Sequence, residues 1–316
     1  MRRLRILTWH VHGSYLYYLG RVPHDLFVPV KPGRPAGYVG LSSGGFPWPD
    51  NLHEIAAEDV PRLELDLVLS QTRGQWLDER DALLSPAQRR LPRIHLEHDP
   101  PRDHPVEQRH PVDDPDTLLV HVTAFNDLMW DSGRTPTRVV EHGVVVPDGV
   151  SYTGELGRGI VLVNDLPSRG RRVGADVFRR AREEIPLDLV GLRSDDEPGG
   201  LGEVPHDRLP AFQARYRFFF NPIRYTSLAL AVCEAMMLGM PVVALATTEY
   251  ATAVEDGVSG YVDTSVERLI ERMRGLLDDP AEARRLGAGA RRTAGERFSI
   301  ERFVRDWNDA FVLVTG

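Results

Sequence analysis

The chain has 316 residues, 42% hydrophobic and 27% charged, with a formal net charge of −8. That length supports two domains with separate cores, and the acidic balance excludes a nucleic-acid binder working through a basic face. The single cysteine, Cys233, excludes a disulfide framework and a multi-cysteine zinc centre and fits a reducing, cytoplasmic setting.

In chain order, residues 4–9, 25–30, 66–70, 93–97, 117–122 and 138–141 read as strands, and 76–84 and 125–130 as helices. Such alternation predicts an α/β, doubly wound parallel sheet. A Pro/Gly-rich stretch, 31–51, and a second one rich in Pro, His and Asp, 99–116, lack any period and read as loops. Gly13 follows the first strand and suits a tight turn into a helix. The segment 146–159 is the best linker. The alternation then restarts, with strands at 160–164 and 187–191 and helices at 174–184 and 209–215. Domain limits are expected at 1–150 and 151–296, followed by a last helix, 297–316, whose Phe303, Trp307, Ala310 and Phe311 share one face. No apolar run is long enough to span a membrane, and no signal-peptide core follows the N-terminus. Peripheral membrane contact remains compatible with this pattern. Lys31 is the only lysine, so a cationic phosphate clamp here must be arginine; the bias points to a bacterial genome.

The most informative stretch runs from Asn221 to Val243. Arg217-Phe218-Phe219-Phe220 reads as a buried strand ended by Pro222, which has no N–H for the ladder. Thr226 or Ser227 is placed to cap the next helix, and Gly239-Met240-Pro241 stops it before the strand Val242-Val243-Ala244-Leu245. A tight turn and helix N-terminus between parallel strands make an anion site, with the backbone N–H groups of Ser227, Leu228 and Ala229 at the positive end of the helix dipole.

Pro222, Leu230, Glu234, Ala235, Gly239, Pro241, Val242 and Val243 resemble the signature of family-4 retaining glycosyltransferases (glycosyl transferases group 1). Residues 253–262 resemble a second segment of the same family. The resemblance implies the GT-B fold, two Rossmann-like domains with an inter-domain cleft and a last helix that crosses back to the first domain. It also implies a metal-independent reaction with no cofactor, using a nucleotide-sugar donor and a sugar, lipid-linked or small-molecule acceptor. Glu234 then takes the ribose hydroxyls; the alternative is a solvated helix carboxylate. Thr226 stands where the family has the first Glu of its E-x7-E pair, so the choice between a sugar contact and a simple helix cap stays open. Val163-Asn164-Asp165 and Arg169-Gly170 resemble the diphosphate-gripping segment, with Arg169 for the family's Lys and Asp165 for its Arg. Arg171 or Arg172 is placed to compensate. His98, after the strand 93–97, matches a strand-end His that approaches the donor sugar. Gly13 matches a flexible loop by the diphosphate, and Gly191 a turn near the base.

A rival reading of the His-rich region as a metal site fits no standard zinc spacing. The leading expectation is a retaining glycosyltransferase of polysaccharide or glycoconjugate biosynthesis. The second is a glycosyltransferase-like protein that has lost catalysis and binds a nucleotide or a partner enzyme, motivated by Thr226 and Asp165. A sugar-nucleotide epimerase lacks the acid–base carboxylates it needs. A dehydrogenase is disfavoured because no G-x-G-x-x-G follows the first strand.

Overall fold

The computed structural model describes residues 2–42 and 45–316; Ser43 and Gly44, within the expected loop 31–51, lie outside them. The chain divides into two compact units. One runs to Gly143 and takes up Ile300–Gly316, and the other is Val144–Ser299.

The first unit is built on seven strands: β1 (Arg5–Thr8), β2 (Asp25–Val30), β3 (Leu52–Ala56), β4 (Leu67–Ser70), β5 (Arg93–Glu97), β6 (Thr117–His121) and β7 (Thr137–Val139). They lie in the order β3-β2-β1-β4-β5-β6-β7, every neighbouring pair parallel. The central strands are apolar on both faces, as helix-covered parallel strands must be. Ile6, Leu7, Leu67, Leu69, Ile94 and Leu119 are all fully buried. β3 was not expected from sequence; it is an edge strand, only partly buried along its length.

The last helix, Ile300–Thr315, buries Phe303, Trp307, Ala310 and Phe311, the face expected for it. Its seat is specific. A Cβ on Gly143 would stand 2.2 Å from Phe303 Cβ, and Trp307 Nε1 donates to Tyr15 Oη at 3.2 Å. The Arg302 guanidinium donates to the Glu141 and His142 carbonyls at 2.9 and 2.5 Å.

The second unit has five parallel strands: β8 (Leu156–Leu162), β9 (Leu187–Val190), β10 (Tyr216–Asn221), β11 (Val242–Leu245) and β12 (Gly260–Asp263), ordered β12-β11-β10-β8-β9. The Gly157-Arg158-Gly159 run expected in a linker lies inside β8. The reason is packing: a Cβ on Gly159 would meet the Phe218 ring at 2.2 Å, so the glycine lets the central β10 phenylalanine lie flat across its neighbour. All six residues of β10 are buried. The helix Leu230–Leu238 is apolar all round but for Glu234 and ends at Gly239 with φ 91°, the left-handed C-terminal glycine its sequence called for. Gly287 lets a second helix, Pro280–Arg297, approach closely, since a Cβ there would stand 2.1 Å from Gly239 O.

Trp307→Ala should cost about 3–5 kcal/mol, as large buried aromatics do on truncation, read as a lower denaturant midpoint. An unchanged midpoint would contradict the docking of this helix in the first unit.

Candidate active site

Both sheets reverse their strand order once, between β1 and β4 in the first unit and between β8 and β10 in the second. Loops leaving such a pair turn to opposite sides and leave a crevice at the strands' carboxyl ends, the usual ligand position in doubly wound sheets. The candidate residues of each unit gather at its switch point.

In the second unit, the loop after β8 carries Asn164, Asp165 and Arg169, and the loop after β10 carries Thr226 to Ala229. The β8 loop is knitted to the loop after β9. Asn164 Oδ1 accepts from Leu192 N at 2.9 Å, and Asp165 N donates to Leu192 O at 2.7 Å. Gly191 has φ 143°, and a Cβ there would stand 2.6 Å from Val163 O, so only glycine allows this join. Arg169 Nη1 donates to Asn164 O at 3.2 Å, folding the guanidinium over its own loop.

Asp165 is met by a residue that sequence reasoning did not single out as a cation. Arg193 Nη1 lies 3.3 Å from Asp165 Oδ1 and donates to Ser168 Oγ at 3.1 Å, and Arg193 also pairs with Asp196. Arg171, expected to compensate for Asp165, is engaged instead by Asp176 at 2.6 Å. Arg224 holds the same carboxylate with two hydrogen bonds, which draw the Asp176 pKa below its ordinary value.

The β10 loop departs from expectation. The helix begins at Leu230, and its N-cap, Ala229, makes no side-chain capping bond. Neither Thr226 nor Ser227 caps it: Thr226 Oγ1 donates to Ser227 O at 2.8 Å. The expectation missed the support beneath the loop. Tyr250 is fully buried; its hydroxyl accepts from Ala229 N at 3.1 Å and donates to Ser227 O at 3.2 Å. The Ala229 N–H expected to face a diphosphate is therefore engaged with Tyr250. Burial pushes the Tyr250 phenol up to about 12, so it stays protonated and can donate. Leu228 and Ser227 are buried in the same turn, and Glu234, one turn into the helix, is 7% exposed.

In the first unit, the β1 and β4 loops and the end of β5 enclose a cavity of about 620 Å³, lined among others by His12, Gln71, His98, Arg102 and Trp130. Gln71 organises it. Its Nε2 donates to Thr8 Oγ1 at 3.0 Å and Trp9 O at 2.7 Å, which fixes the amide so that Oε1 faces His98 Nε2 at 2.9 Å. His98 therefore carries its proton on Nε2. Its ring packs edge-on to His12 and Tyr15 at 4.5 and 4.9 Å, and burial holds its pKa well below the ordinary imidazole value. His98 is a neutral donor and aromatic wall here. Gly13 opens the helix Gly13–Leu19 without a left-handed turn. A Cβ on it would meet the Phe46 ring at 2.5 Å.

His95, Glu97 and His110 lie close enough to share a cation, but their hydrogen bonds oppose it. His110 Nδ1 accepts from Val112 N at 3.1 Å, so Nε2 bears the proton and donates it to Glu97 Oε2 at 3.0 Å. The other Glu97 oxygen accepts from Asp99 N at 2.9 Å. The cluster braces the His98-Asp99 turn.

Residues 199–293 match the family Glycosyl transferases group 1. A D-inositol 3-phosphate glycosyltransferase of Salinispora tropica is 29% identical over 259 residues, 67% of this chain and 54% of that protein. Other curated relatives are covered over 27–51% of their length. Among solved structures, a sucrose-phosphate synthase from Thermosynechococcus elongatus superposes with a TM-score of 0.72 at 16% identity, covering 99% of both chains. Anabaena HepE in complex with UDP-glucose gives 0.70 at 14% identity, covering 98% of this chain and 100% of that one. The fold is therefore GT-B. The matched segment lies entirely within Val144–Ser299, and the chain spans about half or less of the length of these curated relatives.

Burial lowers the pKa of His12, His95, His98 and His121, the last to about 4. In the unfolded chain these rings protonate near about pH 6.5. Between the folded and unfolded values the unfolded state holds more protons, so stability rises with pH there. Urea titrations should show a plateau above about pH 7 and a steady loss below about pH 6; stability that stays level on acidification would refute the neutral-histidine interior. Separately, Tyr250→Phe removes both bonds to the 226–229 loop and should cost about 1–3 kcal/mol, measured by the same titrations at neutral pH.

Proposed function

We propose that the protein transfers a sugar from a nucleoside diphosphate sugar to an acceptor hydroxyl, with retention of anomeric configuration and without a metal ion. In that reaction the bond from the anomeric carbon to the β-phosphate oxygen breaks and its electron pair leaves with the diphosphate. The acceptor oxygen bonds to the anomeric carbon on the same face, and its proton passes to a diphosphate oxygen. No protein nucleophile is required; the protein supplies donors where negative charge gathers.

The observation that carries this reading is Glu234, a buried carboxylate on an otherwise apolar helix directly after the switch-point loop. A carboxylate at that place is able to accept from the paired hydroxyls of a ribose. Arg169 is assigned to the diphosphate, with the Ser227 and Leu228 backbone beside it. Asn164 and Gly191 shape the edge of the base site. Thr226 takes the place next to the donor sugar, and His98 and Gly13 belong to the acceptor side. A neighbour solved with UDP-glucose and a relative named as a D-inositol 3-phosphate glycosyltransferase support the same class of donor and reaction.

The second reading is a related protein that binds a nucleotide or a partner enzyme without turnover. Thr226 Oγ1 is committed to Ser227 O and the Ala229 N–H to Tyr250, and this favours it. Donor hydrolysis and transfer, assayed over a nucleotide-sugar panel, separate the two. A thermal-shift series with UDP, GDP, ADP and dTDP identifies the base, since a ligand of the native state raises its melting temperature. Glu234→Gln should weaken the preferred nucleotide by about tenfold or more, as loss of charge-assisted hydrogen bonds does. An unchanged dissociation constant would remove Glu234 from the ribose.

A further inference from the structure

The cavity of the first unit is lined by several charged side chains, and all but one of them have a hydrogen-bond or ion-pair partner. Glu97 is saturated by Asp99 N and His110. Asp99 pairs with Arg102, Arg109 pairs with Asp113 at 2.7 Å, and Asp103 accepts from Gln108 Nε2 at 3.3 Å. His12 and His98, both held below the ordinary imidazole pKa by burial, add no charge at neutral pH. Among the described residues, Arg73 is the one charged side chain of this lining for which no polar partner is present.

Arg73 stands at a particular place. It follows Gln71 and Thr72 directly after β4, in the first turn of the helical segment 73–83. Thr72 Oγ1 accepts from Gln75 N at 3.2 Å, and Gln75 Oε1 accepts from Gln71 N at 2.7 Å, so the turn carrying Arg73 is locked to the residue that orients His98. A π-helical stretch follows at Gln75–Glu79. Beside Arg73, a Cβ on Gly74 would find only Thr72 Oγ1, at 4.0 Å. The space there is open, and the positive end of the helix dipole favours an anion. In the same lining, Trp130 is anchored by its Nε1–H to Asp99 O at 2.8 Å and provides an aromatic wall suited to the C–H face of a sugar ring.

We propose that this cavity takes an acceptor carrying an oxyanion, a phosphate or carboxylate on a polyhydroxylated body, and that Arg73 is the residue that selects it. The inference rests on the transferase reading for the word acceptor, but the binding it describes is independent of turnover. A planar guanidinium engages either oxyanion with two parallel hydrogen bonds, whereas the paired charges around it are already satisfied and have little to gain. A neutral sugar of the same size would use the wall and the polar rim but leave Arg73 unmatched.

The test is calorimetric titration of the full chain with glucose 6-phosphate, glucuronate and glucose, for the wild type, Arg73→Ala and Arg73→Lys. At least one of the two anionic sugars should bind about tenfold or more tightly than glucose, the gain of a charged hydrogen bond. Which of them does so distinguishes phosphate from carboxylate. Arg73→Ala should abolish that difference while leaving glucose unchanged, and Arg73→Lys should retain part of it. Equal binding of all three sugars by the wild type, absence of binding by any of them, or an Arg73→Ala protein that keeps the preference would overturn the proposal. So would an equal loss of nucleoside diphosphate affinity in Arg73→Ala, which would give the arginine to the donor. A protein that binds nucleotide and hydrolyses donor yet shows no oxyanion preference sinks this inference alone. One that shows the preference yet binds no nucleotide sinks only the transferase reading.

Discussion

Parallel strands all exit on the same edge of their sheet, and a sheet that reverses its strand order must send adjacent connections to opposite faces. Everything of functional interest in this chain follows from that constraint applied twice. The β1/β4 reversal leaves His12, Gln71 and Arg73 around one crevice, and the β8/β10 reversal leaves Asn164, Arg169 and Thr226 around another. Neither crevice needs a dedicated scaffold, because the parallel topology produces it and the loops only decorate it.

The two crevices are furnished differently. In the first unit, burial holds the pKa values of His12, His95 and His98 down, and the Gln71 amide fixes the His98 tautomer. Neutral rings of fixed orientation cost less to bury than cations, and they offer donors to an uncharged hydroxyl without repelling or attracting it. In the second unit the loops are dominated by formal charges in compensated groups, Asp165 with Arg193 and Asp176 with Arg171 and Arg224.

Much of this was legible from residues alone, for reasons that differ by element. β10 and β11 are continuous apolar runs buried on both faces, and Gly239-Met240-Pro241 stops the intervening helix by simple conformational rules. The apolar face of Ile300–Thr315 is readable because a helix repeats its face every three or four residues. What escaped is what local pattern does not encode. β3 carries His53 and Glu54 on a half-exposed edge and so lacks an apolar run. Gly159 looked like linker because its role depends on a phenylalanine 59 positions away, Phe218. The supports Gln71 and Tyr250 act through long-range hydrogen bonds to Trp9 and Ala229, and no spacing rule announces such partners. The missing cap had a related cause. Thr226 and Ser227 were plausible caps by type, but their turn is tied down by Tyr250 before the helix begins.

That substitution of support bears on the weakest joint of the functional reading. A carboxylate at position 226 would carry a charge into a turn whose side chains are already buried, and would need several donors there. Threonine needs one partner and has it, in Ser227 O. The loop can therefore be closed by a neutral hydroxyl and a tyrosine, neither of which alters the field at a neighbouring diphosphate. The same economy holds at Asp165. It is met locally by Arg193, which also pairs with Asp196 and reaches Ser168 at the foot of the Arg169 turn. Arg169 lies on the same loop, its guanidinium donating to Asn164 O at the end of β8. The departures at 226 and 165 thus leave the second crevice with fewer formal charges than a carboxylate and an arginine would supply, and with those that remain arranged as local pairs.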